Sequence, residues 1–273
     1  MMPDIPDPAE AQDRLRHASS FGAVAAAYAE HRPSYADDAI RWCLAAVRSS
    51  LPAPTATRVV DLGAGTGILT AALDRLGADV TAIEPDPDML AELRRRLPGV
   101  RSAAGSAEKI PLPDGGVDAV LAGQAMHWFD LDRALPEIAR VLVPGGVFAG
   151  LWNVDDDRVG WVAELAKMRN RKASNTLLRW RDGDAHPRQD QLAAAAAGRF
   201  RPAETAEFGH GQERTADSLV ATIATHSHLL VMDATERSAL LAQVTGFLRT
   251  QPETSAGEFI LPMVTIALRT RRG

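Results

Sequence analysis

Apolar positions along this chain follow two rhythms. Val59-Val60, Val80 to Ile83, Val117 to Ala122 and Val147 to Asn153 are short, nearly unbroken apolar runs, the pattern of strands buried on both faces of a sheet. Between them the period becomes helical. Ile68, Leu69, Ala72, Leu73 and Leu76 lead up to Gly77, and Leu90, Leu93 and Leu97 lead up to Pro98-Gly99. Leu131, Leu135, Ile138 and Leu142 then fall at i, i+4, i+7 and i+11. Asp86 followed by Pro87 reads as the N-cap and first residue of the second of these helices. Strand and helix alternate, which predicts an α/β chain.

The flanks are patterned differently. Residues 1 to about 18 hold three prolines and mixed charge without an apolar period, and are expected to be loose. Ser20 can cap a short helix from Phe21 to about Glu30, ended by His31-Arg32-Pro33. A second helix is predicted from about Tyr35 to Ser49, and Leu51 to Thr55 is a linker. Beyond Asn153, residues 154 to about 200 read as an inserted helical cap containing Trp161, Leu165 and Met168. Ala203 to Phe208 is predicted as a sixth strand, Leu219 to Met232 and Glu236 to Leu248 as helices, and Phe259 to Leu268 as the last strand. Pro262 then belongs near that strand's start or at a bulge. The expected division is 1–50 for tail and lid helices, 51–153 for the core, 154–200 for the cap and 201–273 for the rest of the sheet.

The chemistry gathers at the end of the first apolar run, in Asp61-Leu62-Gly63-Ala64-Gly65-Thr66-Gly67. Glycines there let the backbone turn sharply and approach a ligand closely. Glu84 lies 21 positions after Gly63, at the end of the second run, where a nucleotide-binding βαβ unit sets the carboxylate that grips two ribose hydroxyls. A dinucleotide fingerprint would need its third glycine where Ile68 stands. Asp61 adds a negative charge that opposes a pyrophosphate and suits an ammonium or sulfonium cation. With Asp61, the G-x-G-x-G loop and Glu84 in this order, the chain resembles the class I S-adenosylmethionine (SAM)-dependent methyltransferases.

The resemblance is close over about residues 20 to 153. Gly105 to Asp114 looks like the family's adenine-contacting loop, and Pro144-Gly145-Gly146 like its turn before strand five. It implies a Rossmann-like, doubly wound sheet of seven mostly parallel strands, the last antiparallel between five and six, with an N-terminal helical lid and a helical cap. It also implies SAM as cofactor, held by Asp61, Gly63, Ala64, Gly65, Thr66 and Gly67, and by Glu84, Pro85 and Met89 at the second strand's end. Ser106, Ala107 and Glu108 would face the adenine, Gln124 would follow strand four, and Tyr28 and Arg32 would reach in from the N-terminal segment, near His31 and Tyr35. Many relatives carry Asp where Ser106 stands, so either Ser106 or Glu108 must accept the adenine amino proton here.

Gln124-Ala125-Met126-His127-Trp128-Phe129-Asp130 lacks the Asp/Asn-Pro-Pro-aromatic tetrapeptide of base-amine methyltransferases. It resembles a subgroup acting on small organic molecules, including the trans-aconitate and cantharidin-type methyltransferases. His127 is a candidate general base, with a satisfied structural histidine as the alternative. Trp128 and Phe129 read first as core under a lid, and Trp128, Trp152, Asn153 and Trp161 are candidate acceptor contacts. Arg32 suits a carboxylate of cofactor or substrate, or merely ends a helix.

Thirty basic and 35 acidic side chains leave a formal charge of −5, which argues against a duplex-binding enzyme. Cys43 is the single cysteine and sits at helical spacing with Ile40, Leu44 and Val47, so it reads as core. His226 and His228 point apart on a helix, and no metal site is expected. No run approaches the length of a membrane span and the start is acidic and polar, so no membrane partner is expected and a cytoplasmic location is. The expected partner is a small-molecule acceptor, for a monomer or homodimer. Two rivals stand beside this reading: a SAM-binding protein that has lost transfer, and an NAD-dependent oxidoreductase, which the glycine spacing disfavours.

Overall fold

The apolar runs become strands of a seven-stranded sheet in a computed structural model of the protein, which describes residues 33–47, 56–169, 198–224, 229 and 232–273. The strands are β1 (Arg58–Leu62), β2 (Asp79–Glu84), β3 (Arg101–Ala104), β4 (Val117–Gly123), β5 (Leu142–Asp155), β6 (Glu204–Thr215) and β7 (Glu258–Arg271). Among the described residues the helices are α1 (Asp37–Ala45), α2 (Ile68–Arg75), α3 (Pro87–Arg96), α4 (Leu131–Val141), α5 (Gly160–Met168), α6 (Ala216–Ala224) and α7 (Ala234–Thr250). The sheet order is β3-β2-β1-β4-β5-β7-β6, and only β7 runs antiparallel to its neighbours. Chain order reverses between β1 and β4, which makes their carboxyl ends the topological switch point where open α/β sheets bind ligands.

Both faces of the central strands are covered. Val60, Leu62, Val120, Phe148 and Leu268 pack under Leu135 and Ile138 of α4. Val59, Leu121, Val147 and Leu151 face Ile40 and Cys43 of α1 and Leu69 and Leu73 of α2. Each such Leu or Ile contributes roughly 1.5–3 kcal/mol by leaving water. Cys43 is wholly buried, and burial pushes its thiol up to about 12, so it stays neutral core, as its spacing implied. A third cluster joins Trp161 and Leu165 of α5, Leu219 and Ile223 of α6 and Val244 and Leu248 of α7 to Phe259, Leu261 and Met263 of β7.

Several boundaries moved, for identifiable reasons. β3 went unmarked by hydropathy, because Arg-Ser-Ala-Ala has no apolar alternation and its strand form depends on pairing with β2. β6 continues past Phe208 to Thr215, because its inward positions there are His210, Gln212 and Arg214, polar residues that conceal a strand period. α1 spans Asp37–Ala45, shorter than the predicted Tyr35 to Ser49. α7 is slightly longer than expected, with Asp233 accepting from the amides of Thr235 (2.8 Å) and Glu236 (3.3 Å) as its cap. Pro262 pairs with Gly211 of β6 one position beyond the last β5 pair, Asp155 with Met263. Its carbonyl accepts from Asp156 on the β5 flank, so its missing N–H falls where that ladder has ended. The helix predicted over Phe21–Glu30, the linker over 51–55 and most of the cap over 170–197 lie outside the described residues.

Candidate functional site

The glycine loop leaves β1 at the switch point, and its three glycines serve different ends. Gly63 (φ +71°) would put a Cβ 2.7 Å from the Ala125 Cβ, and Gly67 (φ +89°) would put one 2.9 Å from Leu97 Cδ1. Both are demanded by packing. Gly65 (φ +56°) faces open space, with only Met89 Sδ at 3.8 Å from a Cβ placed there. It is therefore the loop position a ligand can approach. The amides of Gly63 and Ala64 anchor the loop by donating to the Ile83 carbonyl at 2.9 and 3.0 Å.

Glu84, buried at the end of β2, ties the loop to the next helix. Its Oε2 accepts from the Gly65 amide at 2.7 Å and its Oε1 from the Asp86 amide at 2.9 Å. Each oxygen retains a second lone pair for a hydroxyl. Burial raises the Glu84 pKa, while the two amides oppose that rise. The Asp86 side chain is occupied as the α3 cap, accepting from Asp88 (2.9 Å) and Met89 (3.0 Å) amides. Pro85 is exposed between them.

Asp61 is fully buried beneath the loop. Thr70 Oγ1 donates to its Oδ2 at 2.6 Å, and its Oδ1 is buried with no hydrogen-bond partner. Burial chiefly, with a smaller push from Glu84, raises its pKa to about 7. Thr66 Oγ1, in the loop itself, is likewise buried without a partner. Two orphaned polar atoms, a bare Gly65 and two buried carboxyls with no basic side chain paired to them among the described residues are what a cationic nucleoside such as SAM would complete. Thr70 escaped the sequence reading, because nothing in helical spacing marks a hydroxyl nine residues from its carboxylate.

Across the edge, Ser106 to Lys109 form a tight turn, with Ala107 buried beneath it. Glu108 Oε1 accepts from the Asp130 amide at 3.0 Å, which joins this turn to the segment after β4. The Ser106 hydroxyl makes no hydrogen bond among the described residues. Gln124, at the end of β4, has φ +54°, a backbone region costly for a non-glycine residue. Its amide Nε2 donates to the Asn153 carbonyl at 3.0 Å. Met126–Trp128 then make one 3-10 turn. The His127 and Trp128 ring centroids lie 4.8 Å apart with the planes tilted by 44°, Phe129 is buried, and Trp128 is 42% exposed. Phe129 is thus part of the core, whereas Trp128 is not.

The other candidate acceptor contacts have different surroundings. Trp152 is buried in the core, its ring occupying the space a Cβ at Gly150 would need. Trp161 packs edge-on against Phe259 (5.8 Å, 90°) in the α5–α7 cluster. Asn153 spends its side chain on the backbone carbonyls of Pro33 (3.3 Å) and Ser34 (3.0 Å) and on Thr265. Tyr28, His31 and Arg32 lie outside the described residues, and so do His226 and His228. Tyr35 is buried against Gly123, whose Cβ would meet its hydroxyl. A 360 Å³ cavity between α4 and the chain end, lined by Arg140, Arg199 and Arg272, lies at the opposite edge of the sheet and takes no part in this site. No cluster of metal-ligating side chains occurs among the described residues, and no described helix is long and apolar enough to cross a membrane.

Residues 60–150 match a methyltransferase-domain family. An uncharacterized methyltransferase of Mycobacterium tuberculosis is 39% identical over 251 residues, 92% of this chain and 94% of that protein. A malonyl-[acyl-carrier protein] O-methyltransferase of Methylococcus capsulatus is 36% identical over 155 residues, 54% of each chain. Among solved structures, a protein of Anaeromyxobacter dehalogenans assigned as a type II methyltransferase matches with a TM-score of 0.58 and 27% identity, covering 89% of this chain and 97% of that one.

Proposed function

The chain belongs to the class I SAM-dependent methyltransferases, and on that premise we propose that it methylates an oxygen of a small organic acid. When bound, the sulfonium supplies an activated methyl group, which an acceptor oxygen takes as the carbon–sulfur bond breaks and its electron pair returns to sulfur. The residues of this chain then have to bind, align and exclude water. Glu84 would hold the ribose hydroxyls, Gly65 would admit the cofactor to the backbone, and Asp61 would offset its positive charge.

One observation carries the acceptor reading. The exposed Trp128 ring, tilted against His127, presents an apolar surface at the carboxyl end of β4, beside the loop that Ala125 and Phe129 support. Such a surface would align a small molecule, and a carboxylate acceptor, already anionic, would need no proton removed. The O-methyltransferase of a malonyl carrier protein among the relatives supports an acid acceptor, as does the likeness to trans-aconitate methyltransferases. His127 supports a second reading, an alcohol or phenol from which it takes the proton.

Labelled SAM and a panel of carboxylic acids, phenols and amines decide between them. The acid reading expects base-labile methyl esters, with His127→Ala raising the acceptor KM and sparing kcat. Alkali-stable methyl ethers, with kcat lowered roughly 10²-fold or more by the same substitution, would establish the second reading instead.

A further inference from the structure

A line of side-chain hydrogen bonds crosses the sheet at the carboxyl edge, outside every motif. Asn153 of β5 stands opposite Thr265 of β7, and Thr265 opposite Phe208, two residues before His210 on β6. Asn153 Nδ2 donates to the carbonyls of Pro33 and Ser34, and its Oδ1 lies 2.6 Å from Thr265 Oγ1. Thr265, fully buried, also accepts from the Ala36 amide at 3.0 Å and lies 3.2 Å from His210 Nε2.

Counting donors gives every bond a direction. Two carbonyls can be met only by an NH₂ group, so the Asn153 amide has one orientation, with Oδ1 toward Thr265. The Thr265 hydroxyl must give its single proton to that oxygen. It can then only accept from its other partners, so His210 carries a proton on Nε2 and, in the neutral ring, a lone pair on Nδ1. The line runs one way: His210 to Thr265, Thr265 to Asn153, Asn153 to residues 33 and 34. The same Asn153 receives, on its backbone carbonyl, the amide of Gln124, the residue held at φ +54°.

We propose that Thr265, acting through Asn153 and aligned by His210, is a positioning residue of the methyl-transfer site. It fixes Pro33 and Ser34 at the same edge as Gln124, whose side chain Asn153 also holds. The proposal rests on the site lying at this edge, and not on which acceptor it takes.

Thr265→Val keeps the side-chain shape and removes both hydrogen-bonding roles, leaving the Asn153 Oδ1 and the Ala36 amide without their partner. Hydrogen exchange should show the Ala36 amide exchanging about tenfold faster or more, and calorimetry should show S-adenosylhomocysteine bound about tenfold more weakly, the range for one buried hydrogen bond lost. Thr265→Ser should restore both. Nitrogen chemical shifts of the wild-type protein should report His210 as the Nε2-protonated neutral tautomer. Unchanged Ala36 exchange in Thr265→Val, or an Nδ1-protonated His210, overturns the assignment. Faster exchange with S-adenosylhomocysteine affinity intact, or a serine variant that fails to restore it, reduces the line to a structural fastening and overturns the positioning role. Should the valine variant not fold, His210→Leu with His210→Gln as its rescue makes the same test from the other end. Failure to find a carboxylate acceptor would leave all these readouts as they are.

Discussion

Asp61 should make cofactor binding depend on pH. Its carboxyl is displaced from 3.8 to about 7 by complete burial, against the opposing bond from Thr70. A displacement of that size corresponds to about 4 kcal/mol of penalty on the ionised form. Between about pH 4 and pH 7 the folded, cofactor-free protein therefore binds a proton that the unfolded chain has released. The sign follows: stability from this group is greatest at low pH and is lost as pH rises toward 7. A bound cation reverses the balance by favouring ionised Asp61, so SAM binding should expel the proton. With a free-protein value near 7, SAM affinity should be about tenfold weaker at pH 6 than at pH 8, and flat above that. Calorimetry in buffers of different ionisation enthalpy would detect the released proton. Asp61→Asn should raise the thermal stability of the cofactor-free protein at pH 8, weaken SAM binding, and remove the pH slope. If the slope survives in Asp61→Asn, or that variant is less stable than wild type at pH 8, Asp61 is not the buried anion the cofactor neutralises.

Three more outcomes are expected. Gly65→Ala should weaken SAM binding severely with the circular dichroism spectrum retained, whereas Gly63→Ala, whose Cβ would strike Ala125, should cost stability first; equal unfolding of both would mean that the positive φ at Gly65, and not a ligand, demands glycine there. Glu84→Gln keeps an acceptor but loses charge on both amides it holds, and Glu84→Ala should cost roughly 1.5–3 kcal/mol of SAM affinity, measured by calorimetry. Affinity within error of wild type in the alanine variant would point Glu84 at the loop alone. Trp161→Ala should lower stability by roughly 3–5 kcal/mol in urea unfolding while sparing kcat at saturating acceptor, and a selective loss of kcat would return Trp161 to the acceptor pocket.

Much of this protein was determined by sequence alone, and the reason is locality. Asp61, the spaced glycines, Ile68 to Leu76 and Glu84 fall within one βαβ unit, so strand, turn, helix and carboxylate are set by neighbours along the chain. The cap at Asp86 and the buried period around Cys43 were legible for the same reason. What the sequence could not show depends on which strands meet. β3 and the second half of β6 are strands because β2 and β7 supply their partners, not because their residues alternate. Gly63 and Gly67 look identical to Gly65 until Ala125 and Leu97 arrive from distant helices and turns, leaving Gly65 alone in open space. Trp128, Trp152 and Trp161 are one residue type with one apparent role in sequence. Tertiary packing exposes the first and buries the other two, since burial belongs to the assembled layers and not to the side chain. Thr70 and Thr265 are unremarkable threonines until folding sets one against a carboxylate nine residues away and the other against an asparagine 112 residues away. A hydrogen bond needs its partner within about 3 Å, and only the fold decides who that partner is.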